Sequence, residues 1–211
     1  EVTQQTRAIE ELVNPVYNKD LELELWAVDS LVADPISLQI DDHGNAFYSK
    51  TNRRKISEFD IRSHQDWEIS SIKFKNVAER KAFIHKELAP ENSAKNEWLP
   101  DINGDGSHDW KDLTIEKENV FEIQDTDGDG KADRSVLIAS DFNQETSDVA
   151  GAVLYYDDAL FVGVAPDLWR MTDTNGDGFM DEKKSLAHGF GVHIGFGGHN
   201  MSGLKVGPEG K

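Results

Sequence analysis

The chain has 211 residues, enough for one large domain with a sizeable core. Forty acidic against 22 basic residues give a net charge of −18 and a pI near 4.6, a balance that disfavours nucleic-acid binding and that anionic lipid would repel. Without cysteine there is no disulfide, thiolate metal site, thiol nucleophile or c-type haem attachment, and no apolar run approaches the roughly 18 residues of a membrane-spanning helix.

Residues 1–22 read as a lead-in with a short helix over Thr6 to Val13. Ile36 to Ser49 reads as a β-hairpin turning at Asp41 to Asn45, where an Asp/Gly/Asn cluster interrupts strand-like sequence. Asn76 to Leu88 predicts a helix. Asn76 can cap it, Glu79 can reach back, Val77, Ile84 and Leu88 share one face, and Pro90 follows its end. This helix is expected in an insertion over about 74–98, between a first sheet unit and the later ones, with Glu91 to Asn96 as a polar loop.

Next come three acidic loops: Asp101 to Asp109, Asp125 to Asp133 and Asp173 to Asp181. Oxygen-bearing side chains recur at loop positions 1, 3, 5 and 9: Asp101, Asn103, Asp105 and Asp109; Asp125, Asp127, Asp129 and Asp133; Asp173, Asn175, Asp177 and Asp181. Glycine stands at position 6, where the backbone turns sharply, and Ser107, Lys131 and Phe179 at position 7 can add a backbone carbonyl. Calcium takes about 6–8 oxygens, so the pattern predicts up to three calcium sites. Asp112, at position 12 of the first loop, is a further candidate ligand. An EF-hand needs Glu at position 12 and flanking helices, whereas position 12 here is Asp112, Val136 and Lys184. The flanks Val120 to Gln124, Ser135 to Ala139, Leu168 to Met171 and Ser185 to His188 read as strands, which puts the later two loops at hairpin tips. The alternative is a solvated acidic turn without metal. Twelve of the forty acidic residues lie in or beside these loops, so metal binding would account for much of the acidity. Calcium sites of the weak extracellular type saturate only at roughly 10⁻⁴–10⁻³ M, which points to a periplasmic or secreted protein. The chain starts at Glu1 without Met, as a processed chain would.

A repeat organises these pieces. The second and third loops start 48 residues apart, each between two strands. Val153 to Val164 reads as a hairpin turning at Asp157-Asp158, and Gly203 to Lys211 opens a similar one, turning at Pro208 to Gly210. Four strands recurring every 40–50 residues describe a propeller blade. The expected fold is therefore mostly β: a partial β-propeller of about two to three four-stranded blades over residues 23–211. The return strand of the last hairpin is missing, so the remainder of the propeller is expected from the same or another chain.

Between the third loop and that last hairpin lies Gly189-Phe-Gly-Val-His-Ile-Gly-Phe-Gly-Gly-His-Asn200. Its spacing is not a dinucleotide fingerprint, since Ile194 falls where glycine is needed. His193 and His199 read either as hydrogen-bonded structural histidines or, for His199, as a general base; a transition-metal pair lacks other clustered ligands.

Asp105 to Leu113, Asp125 to Asp133, Val164 to Arg170 and Gly195 to Asn200 together resemble the propeller domain of membrane-bound dehydrogenases, relatives of the soluble quinoprotein sugar dehydrogenases. The likeness runs from about Leu23 to Lys211. It implies oxidation of a sugar or alcohol by hydride transfer to pyrroloquinoline quinone (PQQ), with a cytochrome as electron acceptor. It also implies that His199, placed before Leu204 to Gly210, removes the substrate hydroxyl proton. The quinone-polarising calcium of that family is not held by hairpin loops of this kind, so the three loops are expected to be structural. The second expectation is a non-catalytic, calcium-stabilised propeller that binds a glycan or a protein, since fold alone does not decide between the two.

Overall fold

The alternating strand segments assemble into two four-stranded antiparallel sheets, each a meander in sequence order. A computed structural model describes residues 2–13, 15–53, 59–197, 199 and 201–210. Glu1, Gly198, Asn200 and Lys211, which belong to the expected lead-in, glycine–histidine stretch and final turn, lie outside the described residues. The first sheet contains β1 (Pro35–Ile40), β2 (Ala46–Lys50), β3 (Glu118–Gln124) and β4 (Arg134–Phe142). The second contains β5 (Ala150–Tyr156), β6 (Ala159–Val164), β7 (Asp167–Thr172) and β8 (Glu182–His188). The lead-in helix α1 runs over Val2–Val13, four residues longer at its start than the sequence suggests.

Turn chemistry sets the hairpins. At β1–β2, Asp41 Oδ1 accepts from the N–H groups of His43 and Asn45, both at 2.9 Å. At β5–β6, Asp157 and Asp158 have φ of 52° and 55°. Two successive residues with positive φ form the turn whose twist matches a two-residue hairpin, and Asp tolerates that region. The expected turn at the chain end is also present, with Gly210 N–H donating to Gly207 O at 3.0 Å, but no strand forms among the described residues of 203–210.

The sheets pack face to face. Phe47, Val120, Ile138 and Phe142 of the first meet Val153, Leu160, Val162 and Met171 of the second. Phe47 stacks on Tyr155 with ring centroids 4.6 Å apart. Strand alternation sends the next residue, Tyr48, to the opposite face, where it stacks on its cross-strand partner Phe121 and meets Trp26 and Leu31 from the segment that precedes β1. Strands β1 and β5 lie side by side and run the same way. Ser37 Oγ accepts from Val153 N–H at 3.2 Å, and Gln39 Oε1 from Tyr155 N–H at 2.9 Å. These contacts occupy N–H groups along an edge that would otherwise be unpaired.

The helical insertion departs from expectation in place and length. It occupies residues 51–117 and leaves the first sheet between β2 and β3, rather than following that sheet. The physical reason is that β2 and β3 are neighbours, with Lys50 opposite Asn119, so an excursion of any length can leave and return at one point. The insertion has its own core of Phe59, Trp67, Ile84, Leu88, Leu99 and Leu113. Its α-helices are α2 (Glu68–Ser71) and α3 (Val77–Glu87), with short 3-10 turns before α2 and after α3 among the described residues. In α3, Asn76 Oδ1 accepts from Glu79 N–H at 2.9 Å, Glu79 reaches back to Lys75 N–H, and Val77, Ile84 and Leu88 are buried as the pattern predicts.

Insertion and sheets are joined through the linker 143–149, which connects β4 to β5. Residues 145–149 are buried. Fully buried Arg53 donates to Ser147 O (2.6 Å), Gln144 O (3.0 Å) and Leu113 O (3.2 Å). From α3, Arg80 pairs with Asp148 at 3.3 Å, both side chains being less than 5% exposed, and Lys81 and His85 pair with Glu145 at 3.0 and 2.5 Å. Burial pushes the Glu145 pKa up, but hydrogen bonds from its backbone, His85 and Lys81 outweigh this and hold it below the ordinary value. Arg80→Ala would leave Asp148 buried without its partner. The expected loss in urea unfolding is about 3–5 kcal/mol; a loss under about 1 kcal/mol would mean that the pair does not hold the linker.

Candidate functional site

The three acidic loops share one backbone plan. The position-1 carboxylates Asp101, Asp125 and Asp173 each bridge the N–H groups at positions 4 and 6: Gly104 and Gly106 (2.7 and 2.9 Å), Gly128 and Gly130 (2.8 and 2.9 Å), Gly176 and Gly178 (2.7 and 2.8 Å). Position 3 accepts from the N–H of position 5, through Asn103, Asp127 and Asn175. Position 5 accepts from that of position 7, with Asp105 serving Ser107, Asp129 serving Lys131 and Asp177 serving Phe179. The six glycines all have φ between 71° and 88°, a region that side chains disfavour. Each carboxylate is therefore oriented by fixed backbone dipoles before any ion is considered.

The second and third loops cap the β3–β4 and β7–β8 hairpins, as the strand-like flanks suggest. In both, the position-9 carboxylate turns back on position 2. Asp133 accepts from Thr126 N–H and Oγ1, and Asp181 from Thr174 N–H and Oγ1. The first loop lies in the insertion, and there the task falls to Asp112. This buried carboxylate accepts from Ile102 and Asn103 N–H through Oδ1 and from Asp109 N–H through Oδ2, and so braces the loop from within. Asp109, fully buried, holds Ser107 Oγ and Lys111 instead.

Asp125, Asp127 and Asp133 bring one carboxylate oxygen each within 4.8 Å of one another, a spacing that could hold a metal ion. They are the one such acidic group among the described residues; the other two loops carry an amide, Asn103 or Asn175, at position 3. For Asp173, the backbone N–H groups of Gly178 and Gly176 hold the pKa below the ordinary carboxylate value. For Asp125, burial pushes it up, but the N–H groups of Gly130 and Gly128 prevail and the net shift is downward.

The glycine–histidine stretch docks on the insertion. Ile194 enters the insertion core and donates its N–H to Ser71 Oγ at 2.9 Å, and His193 Nδ1 lies 2.7 Å from Ser71 O. Gly195 O accepts from Ile61 N–H at 3.0 Å, and Asp60 Oδ2 from Gly197 N–H at 3.2 Å. Arg80 Nη1 donates to Gly191 O at 2.7 Å. These contacts make His193 a structural histidine. His199 is exposed; its N–H donates to Phe196 O at 3.0 Å and its ring meets Phe196 edge-on at 6.1 Å. The neighbouring cation, Arg62, lies 5.0 Å above the Phe196 ring and is held by Asp60. Among the described residues, those around His199 do not by themselves supply the several converging donors that an anionic quinone needs.

Past His199 the chain settles against β5 and β6, where glycines leave room for it. A Cβ on Gly151 would lie 2.0 Å from Met201 O, and one on Gly163 would lie 3.4 Å from the end of the Met201 side chain. Sequence reasoning located the acidic loops and both histidines. It missed the buried partners Arg53, Arg80 and Asp148, which carry no local signature because their partners lie far along the chain.

A family model described as a domain of unknown function, DUF7133, matches residues 8–211, and the chain belongs to that family. No curated protein and no solved structure matches it. Gly151→Ala is expected to lift the 201–206 segment off β5. Trypsin cleavage after exposed Lys205 should then quicken while the two sheets keep their circular dichroism; an unchanged cleavage rate would show that the segment does not depend on this contact.

Proposed function

We propose that this chain is a segment of an extracytoplasmic β-propeller whose acidic loops are braced by calcium, and that the propeller serves a quinoprotein-type dehydrogenase acting on a sugar or alcohol. The observation that carries the calcium reading is the common plan of the three loops, with carboxylate or amide oxygens held at positions 1, 3 and 5 by backbone N–H groups. Clustered carboxylates repel one another, and a hard divalent cation relieves that repulsion while closing the hairpin tip. The propeller reading is supported by the parallel alignment of β1 with β5 and by Met201 lying against β5, one sheet further on. On the far face of β1, Ile36, Leu38 and Ile40 are 41–60% exposed, an apolar row suited to another blade.

The dehydrogenase reading rests on the resemblance, with His199 as the base that takes the substrate hydroxyl proton. PQQ, when bound, would supply the hydride acceptor; the described residues around His199 do not by themselves form its site, so no step is derived through it. The second reading, a non-catalytic propeller that binds a glycan or protein, is favoured by the exposure of His199.

Chelator should lower the melting temperature by about 5 °C or more, and added calcium should restore it, because an ion bound only by the folded state stabilises that state. Asp127→Asn should weaken one site in a calcium titration. With the Asp125 and Asp173 pKa values depressed, the ionised form persists below the ordinary value near 3.9. The calcium effect should therefore survive at pH 5 and fade at lower pH as the loop carboxylates take up protons. No response to chelator would remove the calcium reading.

A separate assay addresses the enzyme. With calcium, added PQQ and a panel of sugars and alcohols, turnover of an artificial dye is expected, and His199→Ala should reduce it by a factor of about 10² or more. Absence of both turnover and quinone binding would favour the non-catalytic reading.

A further inference from the structure

One face of the insertion carries an open cleft of about 510 Å³, within the range of roughly 300–1,000 Å³ typical of small-molecule sites. It lies away from the acidic hairpin tips and from His199, none of whose residues line it. Its floor is aromatic. His64 stacks on buried Trp67 with ring centroids 4.2 Å apart, and Trp98 leans against both, 4.6 Å from His64 and 6.2 Å from Trp67. Trp98 is nevertheless 46% exposed, in a chain whose other cleft aromatics are covered or half-covered. A tryptophan fixed by its neighbours and still open to solvent is a preformed platform that loses little entropy on binding.

Polar groups of mixed charge surround the platform: Asp66, Glu87, Asn92 and Lys95. Asn92 donates to Lys86 O at 2.9 Å and Glu87 O at 3.3 Å, and buried Asn96 donates to Glu87 O at 3.0 Å, so this wall is held in place. Burial lowers the His64 pKa despite the opposing charges of Asp66 and Asp60, which favours a neutral ring at neutral pH.

We propose that this cleft binds a neutral carbohydrate, with one pyranose ring stacked on Trp98 and its hydroxyls hydrogen-bonded to Asp66, Glu87, Asn92 and Lys95. The negative π-face attracts the slightly positive C–H groups of a sugar's apolar face. Hydroxyls both donate and accept, so they suit a rim that offers carboxylates, an amide and an ammonium together. Other ligands fit less well. A quaternary ammonium needs several open aromatic faces, whereas Trp67 is buried and Lys95 adds a repelling charge. Phosphorylated ligands meet Asp66, Glu87 and a net charge of −18. The inference stands independently of the dehydrogenase reading, since it uses no residue of the glycine–histidine stretch.

The test is calorimetric titration of the intact chain, with tryptophan fluorescence as a second readout. The probes are cellotriose, maltotriose, xylotriose and laminaritriose, with choline as the cationic comparison. At least one trisaccharide should bind with a Kd of about 1 mM or tighter. Trp98→Ala should weaken it at least about tenfold, and Trp98→Phe should keep most of it. Circular dichroism checks the fold of each variant, and Lys95→Ala, at an exposed position, gives an independent loss of affinity. Failure of all four sugars, binding of choline instead, or unchanged affinity in Trp98→Ala would each overturn the proposal. So would loss of sugar binding in His199→Ala with retention in Trp98→Ala, which would put the sugar at the glycine–histidine stretch.

Discussion

The structure depends on satisfying a buried connection. Chain segments between sheets normally run over the surface, because their backbone polar groups need water. Here residues 145–149 are covered, and the insertion supplies what water cannot. The Arg53 guanidinium accommodates carbonyls from both sides of the joint, Leu113 on the insertion and Gln144 and Ser147 on the linker. Arg suits this role because its planar fork presents several donors at fixed angles and stays charged when buried. Sheet packing and insertion are thus one problem with one solution. Arg80 extends that solution to the glycine–histidine stretch by holding Asp148 and Gly191 O with the same guanidinium.

The acidic loops follow another economy. A turn that bends twice within six residues must aim several N–H groups inward, and the position-1 carboxylate collects them. This backbone plan serves at two hairpin tips and once in a non-sheet setting, so it is a property of the local sequence and not of the sheet. The position-9 brace is where context enters. A threonine at position 2 meets Asp133 or Asp181 at the hairpins, while Ile102, without a hydroxyl, leaves the brace to Asp112.

What could be read in the sequence was whatever local chemistry decides. Asp41, the Asp157-Asp158 pair, the loop glycines and the Asn76 cap each act within a few residues, and each lies where expected. The strands flanking the loops were legible for the same reason. The excursion of 51–117 was not, since nothing within reach of Lys50 records that its neighbour across the sheet is Asn119. Nor was the cleft: His64, Trp67 and Trp98 come together through tertiary packing, with no spacing that sets them apart from core aromatics. The partial propeller remains a reading of the two meanders and their parallel inner strands, of which the sheets themselves are the part established.

The first acidic loop and the cleft belong to a single packed unit. Leaving the loop, His108 N–H donates to Ser93 Oγ at 2.8 Å, His108 Nδ1 lies 2.6 Å from Leu99 O, and Trp110 N–H donates to Leu88 O at 2.9 Å. The stretch from Leu88 to Leu99, which carries Asn92, Lys95 and Trp98, is therefore fastened to the loop at both ends and in its middle. Trp110 then stacks on His85 at 4.1 Å, and His85 pairs with Glu145 of the buried linker. A cation that stiffened the loop would stiffen the wall of the cleft through three hydrogen bonds, with no contact to a ligand there. Ordering entropy met once by the ion need not be met again by the ligand, so the two binding events would favour one another through rigidity alone. The first loop thus differs from the hairpin loops in setting: they close sheet turns, whereas it is hydrogen-bonded to the 88–99 stretch that carries Trp98.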